Sequence, residues 1–358
     1  MYSLKVTANH RPIIFPYRNL PCSSHGTPWE LHGELDTMWP GILPSHSCRL
    51  SSCQNIGVSR REDNMDTNWS LLNNPGHYVK TFNVFRDRCS DVSVFSVWVD
   101  GVFSEVVVGK LQATLDRQEE LRILGVGSGS GVTDCIMLER LLKQFSRINN
   151  RVVEPLAEFL DLYKSLVSSK AHQLHGVECD WRQQTIGQYQ KAGDSSKFHF
   201  ISAVHSIYYI AGDVDSGLMD LYNRLEPGGV MLVILNSDTC KFSRLLGQLK
   251  SSLDTSSYNM TSADIRSCLD RRGIPYTQYP QTVRIDVTQC FDQASEEGGL
   301  LLDFVTHVVN FRKTAPEDMQ RSVMECLGRG DCSERESGGA IFLNMDWDII
   351  VINQPQSE

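Results

Sequence analysis

The 358-residue sequence predicts an α/β fold, a doubly wound sheet with a smaller appended region. Three observations carry that expectation. Residues 121–126 form a short aliphatic run suited to a strand buried on both faces. Gly127-Ser128-Gly129-Ser130-Gly131 follows at once and opens onto apolar residues at helical spacing, from Cys135 to Phe145. Arg151-Val152-Val153 then reads as a second strand, with Glu154 at its carboxyl end. Glycines there let the backbone turn sharply and come close to a ligand. An acid after the second strand can accept hydrogen bonds from both hydroxyls of a ribose, so the unit reads as a nucleotide-type site.

The remaining elements follow in order. Apolar residues at 78, 79, 82 and 85 have the spacing of an amphipathic helix. Residues 92–115 read as a second helical region, broken near Gly101 and Gly109. A helix is expected after Pro155, strands at 173–179 and 199–204, and a Glu226-Pro227-Gly228-Gly229 turn before a fifth strand at 230–235. A helix at 264–272 stops at Gly273. Residues 283–327 read as a lid-like insertion with helices at 300–309 and 316–327, and 341–352 supplies the final strand. The domain reading is a disordered extension at 1–72, a core with its N-terminal helices at 73–235, a substrate-binding or lid region at 236–337, and a last core strand and tail at 338–358.

Composition narrows the function. A net charge of −9 argues against nucleic acid as a partner and suits a cationic small molecule. Eleven cysteines without a C-x-x-C pair read as reduced thiols, so the cytosol is the expected compartment. No apolar run of about 18 residues is evident, so no membrane span is expected. Six of the 13 prolines fall in the first 44 residues, where His46, Cys48 and Cys53 match no standard metal spacing; no metal is expected.

The glycine spacing is G-x-G-x-G, one residue short of the dinucleotide fingerprint, and no Lys-Ser/Thr pair follows to make a P-loop. The pattern resembles class I methyltransferases, whose cofactor is S-adenosylmethionine. The resemblance narrows further. Val152-Val153-Glu154-Pro155, Ser206-Ile207-Tyr208-Tyr209-Ile210, Leu302-Asp303-Phe304, and Asn310-Phe311 through Thr314-Ala315-Pro316 occur in the order found in the histamine N-methyltransferase family. The likeness runs from about residue 75 to 352, and Met65 stands just before it as an alternative start.

That resemblance implies a Rossmann-like sheet and a monomeric N-methyltransferase that acts on a small amine. It implies cofactor contacts from Gly127, Gly129, Glu154, Thr185 and Val204; Asp180 is placed to reach the adenine amino group. Two polar cofactor contacts of the family are replaced by Phe159 and Ile186. A non-catalytic cofactor-binding protein therefore stands as an alternative, beside the same chemistry on another amine or heterocycle. Tyr78, Phe82, Tyr208, Tyr209, Phe242 and Phe304 match aromatic positions of the family's substrate pocket, or else pack in the core. Three polar substrate contacts are altered: the family's Glu, Gln and Asn correspond to Asp91, His205 and Met345. Asp91 and His205 are the expected positioning groups, the imidazole acting when neutral, above a pKa near 6.5 if unperturbed. A one-residue slip would put Asn344 in place of Met345.

Overall fold

The computed structural model describes residues 70–115, 119–209, 214–240, 242–243, 260–330 and 332–356. The expectations for the N-terminal extension, including His46, Cys48 and Cys53, lie outside the described residues.

Strands β1 (Leu121–Val126), β2 (Ile148–Val153), β3 (Val177–Arg182), β4 (Phe198–Val204), β5 (Leu225–Asn236) and β6 (Tyr276–Gln281) belong to the main sheet. Strands β7 (Arg284–Asp286), β8 (Ser333–Arg335) and β9 (Ile341–Asn344) form a small antiparallel sheet, and β10 (Trp347–Asn353) returns to the main one. The main sheet has seven strands in the order β3-β2-β1-β4-β5-β10-β6. Its first five strands run parallel, and β10 lies antiparallel between β5 and β6. This is the doubly wound α/β fold that the sequence predicts.

The central strands are apolar on both faces because both faces are covered. Along β5, Leu232 and Ile234 join one core cluster, while Met231, Val233 and Leu235 join the other. In β10, Ile349 and Val351 take the first face and Ile350 and Ile352 the second. A third cluster, with Ile285, Leu301, Val323 and Leu343, fills the region of the small sheet.

Helix α1 (Pro75–Arg88) starts where the Asn74 side chain accepts from the His77 N–H at 3.2 Å, with Pro75 pre-set in the first turn. Helix α2 (Asp91–Thr114) is continuous, which corrects the breaks expected at Gly101 and Gly109. A ten-residue π-helical stretch, Val99–Val108, absorbs Gly101. Each interior glycine costs about 1 kcal/mol relative to alanine. Burial of Phe95, Phe103, Val107 and Leu111 against the sheet offsets that. By length and composition α2 is apolar enough to cross a membrane, contrary to the sequence reading. Its buried face instead meets β4, with the Phe103 and Phe200 rings edge to face at 5.9 Å.

Two further boundaries differ from expectation. Residues 341–352 are two strands, not one, because β9 pairs with β7 and β8 while β10 pairs with β5 and β6. Strand β6, read as part of the 236–337 region, is the edge of the main sheet. The helices expected at 300–309 and 316–327 are Glu296–Thr306 and Glu317–Gly328.

Candidate active site

Strand order reverses between β1 and β4, and the crevice beyond the carboxyl ends of such strands is where doubly wound sheets bind ligands. A cavity of about 510 Å³ lies there. Its walls come from the segments that leave those ends: Gly127 to Ser130 after β1, Glu154 after β2, Thr185 after β3, His205 and Ser206 after β4, and Asn236 closing β5.

The glycine loop has the geometry that its residues require. Gly127 has φ of +61°, and a Cβ there would stand 2.5 Å from the Ser206 Cβ. Ser206 is buried and donates its hydroxyl to the Val126 carbonyl at 2.5 Å, so it has no room to move away. Gly129 also has positive φ, +55°, but a Cβ there would meet nothing within 4 Å: it borders open space. The Glu154 carboxylate sits under the loop and accepts from the Gly129 N–H (2.9 Å) and the Leu156 N–H (3.0 Å). Burial raises its pKa, and those two N–H groups oppose the rise. Behind the loop, burial pushes Asp134 up to about 6, while the Ser128 and Tyr163 hydroxyls pull it back.

Thr185 begins the helix Ile186–Lys191 with a reciprocal cap: its hydroxyl accepts from the Gln188 N–H, and the Gln188 side chain accepts from the Thr185 N–H. Thr185 lines the cavity. Val204, the last residue of β4, also lines it.

The far wall is aromatic. Helix α1 presents Tyr78, Phe82 and Phe85, and Phe304 comes from Glu296–Thr306. Phe304 lies 4.4 Å from Phe85 and 5.8 Å from Phe82, centroid to centroid. Phe159 stands edge-on to Phe82 at 5.2 Å and to Tyr78 at 5.9 Å. Phe159 thus extends this cluster. The Tyr78 and Tyr209 hydroxyls are 3.3 Å apart.

His205, with φ of +48°, holds Nδ1 3.0 Å from the Tyr208 hydroxyl, and its ring stands edge-on to Trp347 at 5.9 Å. Burial lowers its pKa to about 4, so the ring is neutral near pH 7. Asp91 opens α2, and its carboxylate accepts from the Val92 N–H at 2.7 Å. Burial raises the Asp91 pKa, against the pull of that N–H and of the Arg86 charge. Met345 lines the cavity; Asn344 does not, its amide donating instead to Asp346 at 2.9 Å.

Of the residues singled out in the sequence, Gly127, Gly129, Glu154, Thr185, Val204, Tyr78, Phe82, Asp91, His205, Tyr208, Tyr209, Phe304 and Met345 share this one cavity. Two do not reach it. Asp180 is inside β3, where Arg151 (2.8 Å) and Arg182 (2.8 Å) engage its carboxylate. Although burial alone would raise its pKa, these guanidinium groups hold it below the usual range. Phe242 is buried in the cluster of the small sheet, beside Cys240, Ile285 and Leu343. Arg86, Asn236, His307 and Trp347 line the cavity without having been singled out. They come from four distant segments and share no local motif; only Arg86, next to Phe85 on the helix face, had a neighbour that marked it.

No family model matches the chain. It is 31% identical over 286 residues to histamine N-methyltransferase of Mus musculus, covering 77% of this chain and 94% of that protein. It is 30% identical over 291 residues to histamine N-methyltransferase of Danio rerio, covering 79% and 97%. Carnosine N-methyltransferase 2 of Gallus gallus is 30% identical over 276 residues, covering 75% and 84%. Among solved structures, a methyltransferase from Geobacter sulfurreducens, in complex with S-adenosyl-L-homocysteine, matches at a TM-score of 0.36 and 15% identity, over 73% of this chain and 97% of that one.

Proposed function

Since the chain belongs to the histamine N-methyltransferase family of S-adenosylmethionine-dependent methyltransferases, we propose that its acceptor is a small amine bearing an imidazole, with histamine the first to test. The observation that carries this reading is a single cavity that joins the glycine loop and Glu154 to an aromatic wall containing Asp91 and His205. The relatives' names support the acceptor class, because histamine and carnosine both contain an imidazole.

The residues present fit the cofactor. Gly129 leaves open space above the loop, and Glu154 places a carboxylate at the end of β2. Gly127, Gly129, Glu154, Thr185 and Val204 would hold it. When bound, S-adenosylmethionine supplies a methyl group on a sulfonium, which needs no acid to leave.

The chain's own work is then positioning and drying the site. Tyr78, Phe82, Phe159 and Phe304 exclude water and offer π faces to cations. Asp91 would take the ammonium end of the acceptor. His205, neutral through burial, orients a ring nitrogen without adding positive charge beside it. An attacking nitrogen must carry a lone pair, so a site that does not protonate it at neutral pH favours transfer.

A second acceptor class is favoured by one observation. Met345, not Asn344, borders the cavity, so the third polar recognition group of the family is missing there. A different amine or heterocycle is the reading that this supports.

Methyl transfer from labelled cofactor onto a panel with histamine, carnosine and other biogenic amines tests both. Transfer to an imidazole nitrogen is expected. Cofactor binding without transfer to any imidazole would reject the acceptor proposed here.

A further inference from the structure

We propose that Arg86 and Ser130 form a carboxylate receptor in the wall of this cavity; the proposal rests on the methyltransferase reading and adds a recognition group to it. Arg86 sits in the last turn of α1 and lines the cavity. Its Nη1 donates to the Ser130 hydroxyl at 2.9 Å, and its guanidinium carbon is 5.8 Å from the centre of the Phe82 ring. Its Nε is buried and has no hydrogen-bond partner.

A guanidinium carries five donors in a rigid planar fork that matches a carboxylate. Leaving one of those donors buried and unpaired is costly unless a ligand supplies the acceptor. Arg86 also makes no ion pair within 4 Å among the described residues, its hydrogen bond going to the neutral Ser130 hydroxyl. Asp91 is near enough for the Arg86 charge to lower its pKa, but it directs its carboxylate to the Val92 N–H.

A second feature points to an anion at the same place. Ser130 and Gly131 lead into the helix Val132–Leu141, whose first residues, Val132 and Thr133, also border the cavity. The positive end of that ten-residue helix therefore faces the space beside Arg86.

A carboxylate can reach this spot from two sources. One is the methionyl arm of the cofactor, which passes along the glycine loop if the loop holds it. The other is an acceptor that bears a carboxylate, as carnosine does and histamine does not.

Calorimetry on the full chain separates them. S-adenosylmethionine and its decarboxylated analogue would be titrated into wild type, Arg86→Leu and Arg86→Lys. Carnosine and histamine would be titrated into the same proteins loaded with S-adenosylhomocysteine, with melting temperatures as the check on folding. Loss of a charge-assisted pair predicts about a tenfold to hundredfold weakening for the carboxylate-bearing ligand in Arg86→Leu, partly restored in Arg86→Lys. A loss confined to S-adenosylmethionine, with the decarboxylated analogue unchanged, assigns the receptor to the cofactor. A loss confined to carnosine, with histamine unchanged, assigns it to the acceptor. No change for any ligand, or equal losses with and without a carboxylate, overturns the proposal. A wild type that binds neither form of the cofactor would count against the methyltransferase reading instead.

Discussion

His205 Nδ1 and the Tyr208 hydroxyl face each other at 3.0 Å, and the same hydroxyl oxygen accepts the Asn236 N–H at 3.2 Å. With its oxygen occupied by a backbone donor, the Tyr208 O–H is free to donate to Nδ1. The ring proton then rests on Nε2. Burial lowers the ring's pKa to about 4, not the 6.5 of a free side chain. His199 is lowered to about 4 as well, by burial and by Arg122. Between these values the unfolded chain binds protons at these two rings that the folded chain does not, so their contribution to stability falls as pH drops from about 6.5 towards 4. Urea unfolding at pH 7.5, 6 and 5 should show this loss, and His205→Gln should show less of it. Asp134, raised by burial to about 6, acts in the opposite sense over part of this range, so the difference between the two proteins is the test. An equal pH dependence in wild type and His205→Gln would contradict the burial of that ring as a neutral group.

Tyr208→Phe tests this pair of hydrogen bonds more directly. It leaves His205 Nδ1 and the Asn236 N–H without their shared partner, at a cost of about 1–3 kcal/mol. Turnover is expected to fall at least tenfold, through loss of ring orientation, with cofactor affinity close to wild type. An unchanged turnover would mean that the imidazole does not position the acceptor.

The two loop glycines should fail in different ways. Alanine at either must adopt a left-handed backbone, at about 1–2 kcal/mol. Gly127→Ala also drives a methyl into Ser206, so the melting temperature should drop by many degrees. Gly129→Ala meets no protein atom and should act mainly on cofactor affinity. Thermal melts beside cofactor titrations distinguish the two, and equal damage by both measures would remove the assignment of the space above Gly129 to the cofactor.

Glu154→Gln should weaken S-adenosylmethionine binding by about tenfold or more, since hydrogen bonds to an ionised acceptor are about twice as strong as neutral ones. The carboxylate also holds the Gly129 and Leu156 N–H groups, so Glu154→Ala should cost stability that glutamine largely retains. If calorimetry finds the glutamine variant binding as tightly as wild type, the acid does not contact the ribose.

What the sequence made legible was local. Strand, glycine loop, helix, strand and acid lie within about 35 consecutive residues, and their chemistry follows from spacing alone. Asp180 was misplaced because its partners are not adjacent in sequence on both sides. Arg151 reaches it across the β2–β3 pairing, a relationship that only the register reveals. Phe242 follows β5 and enters the third core cluster, which the aromatic pattern could not separate from a pocket wall. Trp347 and Asn236 meet His205 and Tyr208 because β10 folds back antiparallel on β5, pairing Trp347 with Asn236. No one-dimensional pattern carries that contact.

The register at 344–347 also sharpens the case for a changed acceptor. Main-chain pairing of Met345 N–H with the Val283 carbonyl at 2.9 Å fixes which side chain faces the cavity, and it is the thioether. A ring nitrogen placed there has no amide to meet and loses about 1–3 kcal/mol if it is buried. On the proposed reading, Asp91 stands where the resemblance puts a glutamate and is shorter by one methylene, so a small amine would sit deeper or be held through water. On the same reading His205 stands where the resemblance puts an amide, and its imidazole is already engaged by Tyr208. Restoring all three groups with Asp91→Glu, His205→Gln and Met345→Asn should therefore raise kcat/KM for histamine, by about tenfold for each recovered hydrogen bond of 1.4 kcal/mol. The comparison is steady-state turnover of histamine by parent and triple variant, with carnosine as the control acceptor. If the parent already methylates histamine efficiently and the triple change leaves its kcat/KM where it was, the three substitutions are neutral and the pocket has not drifted.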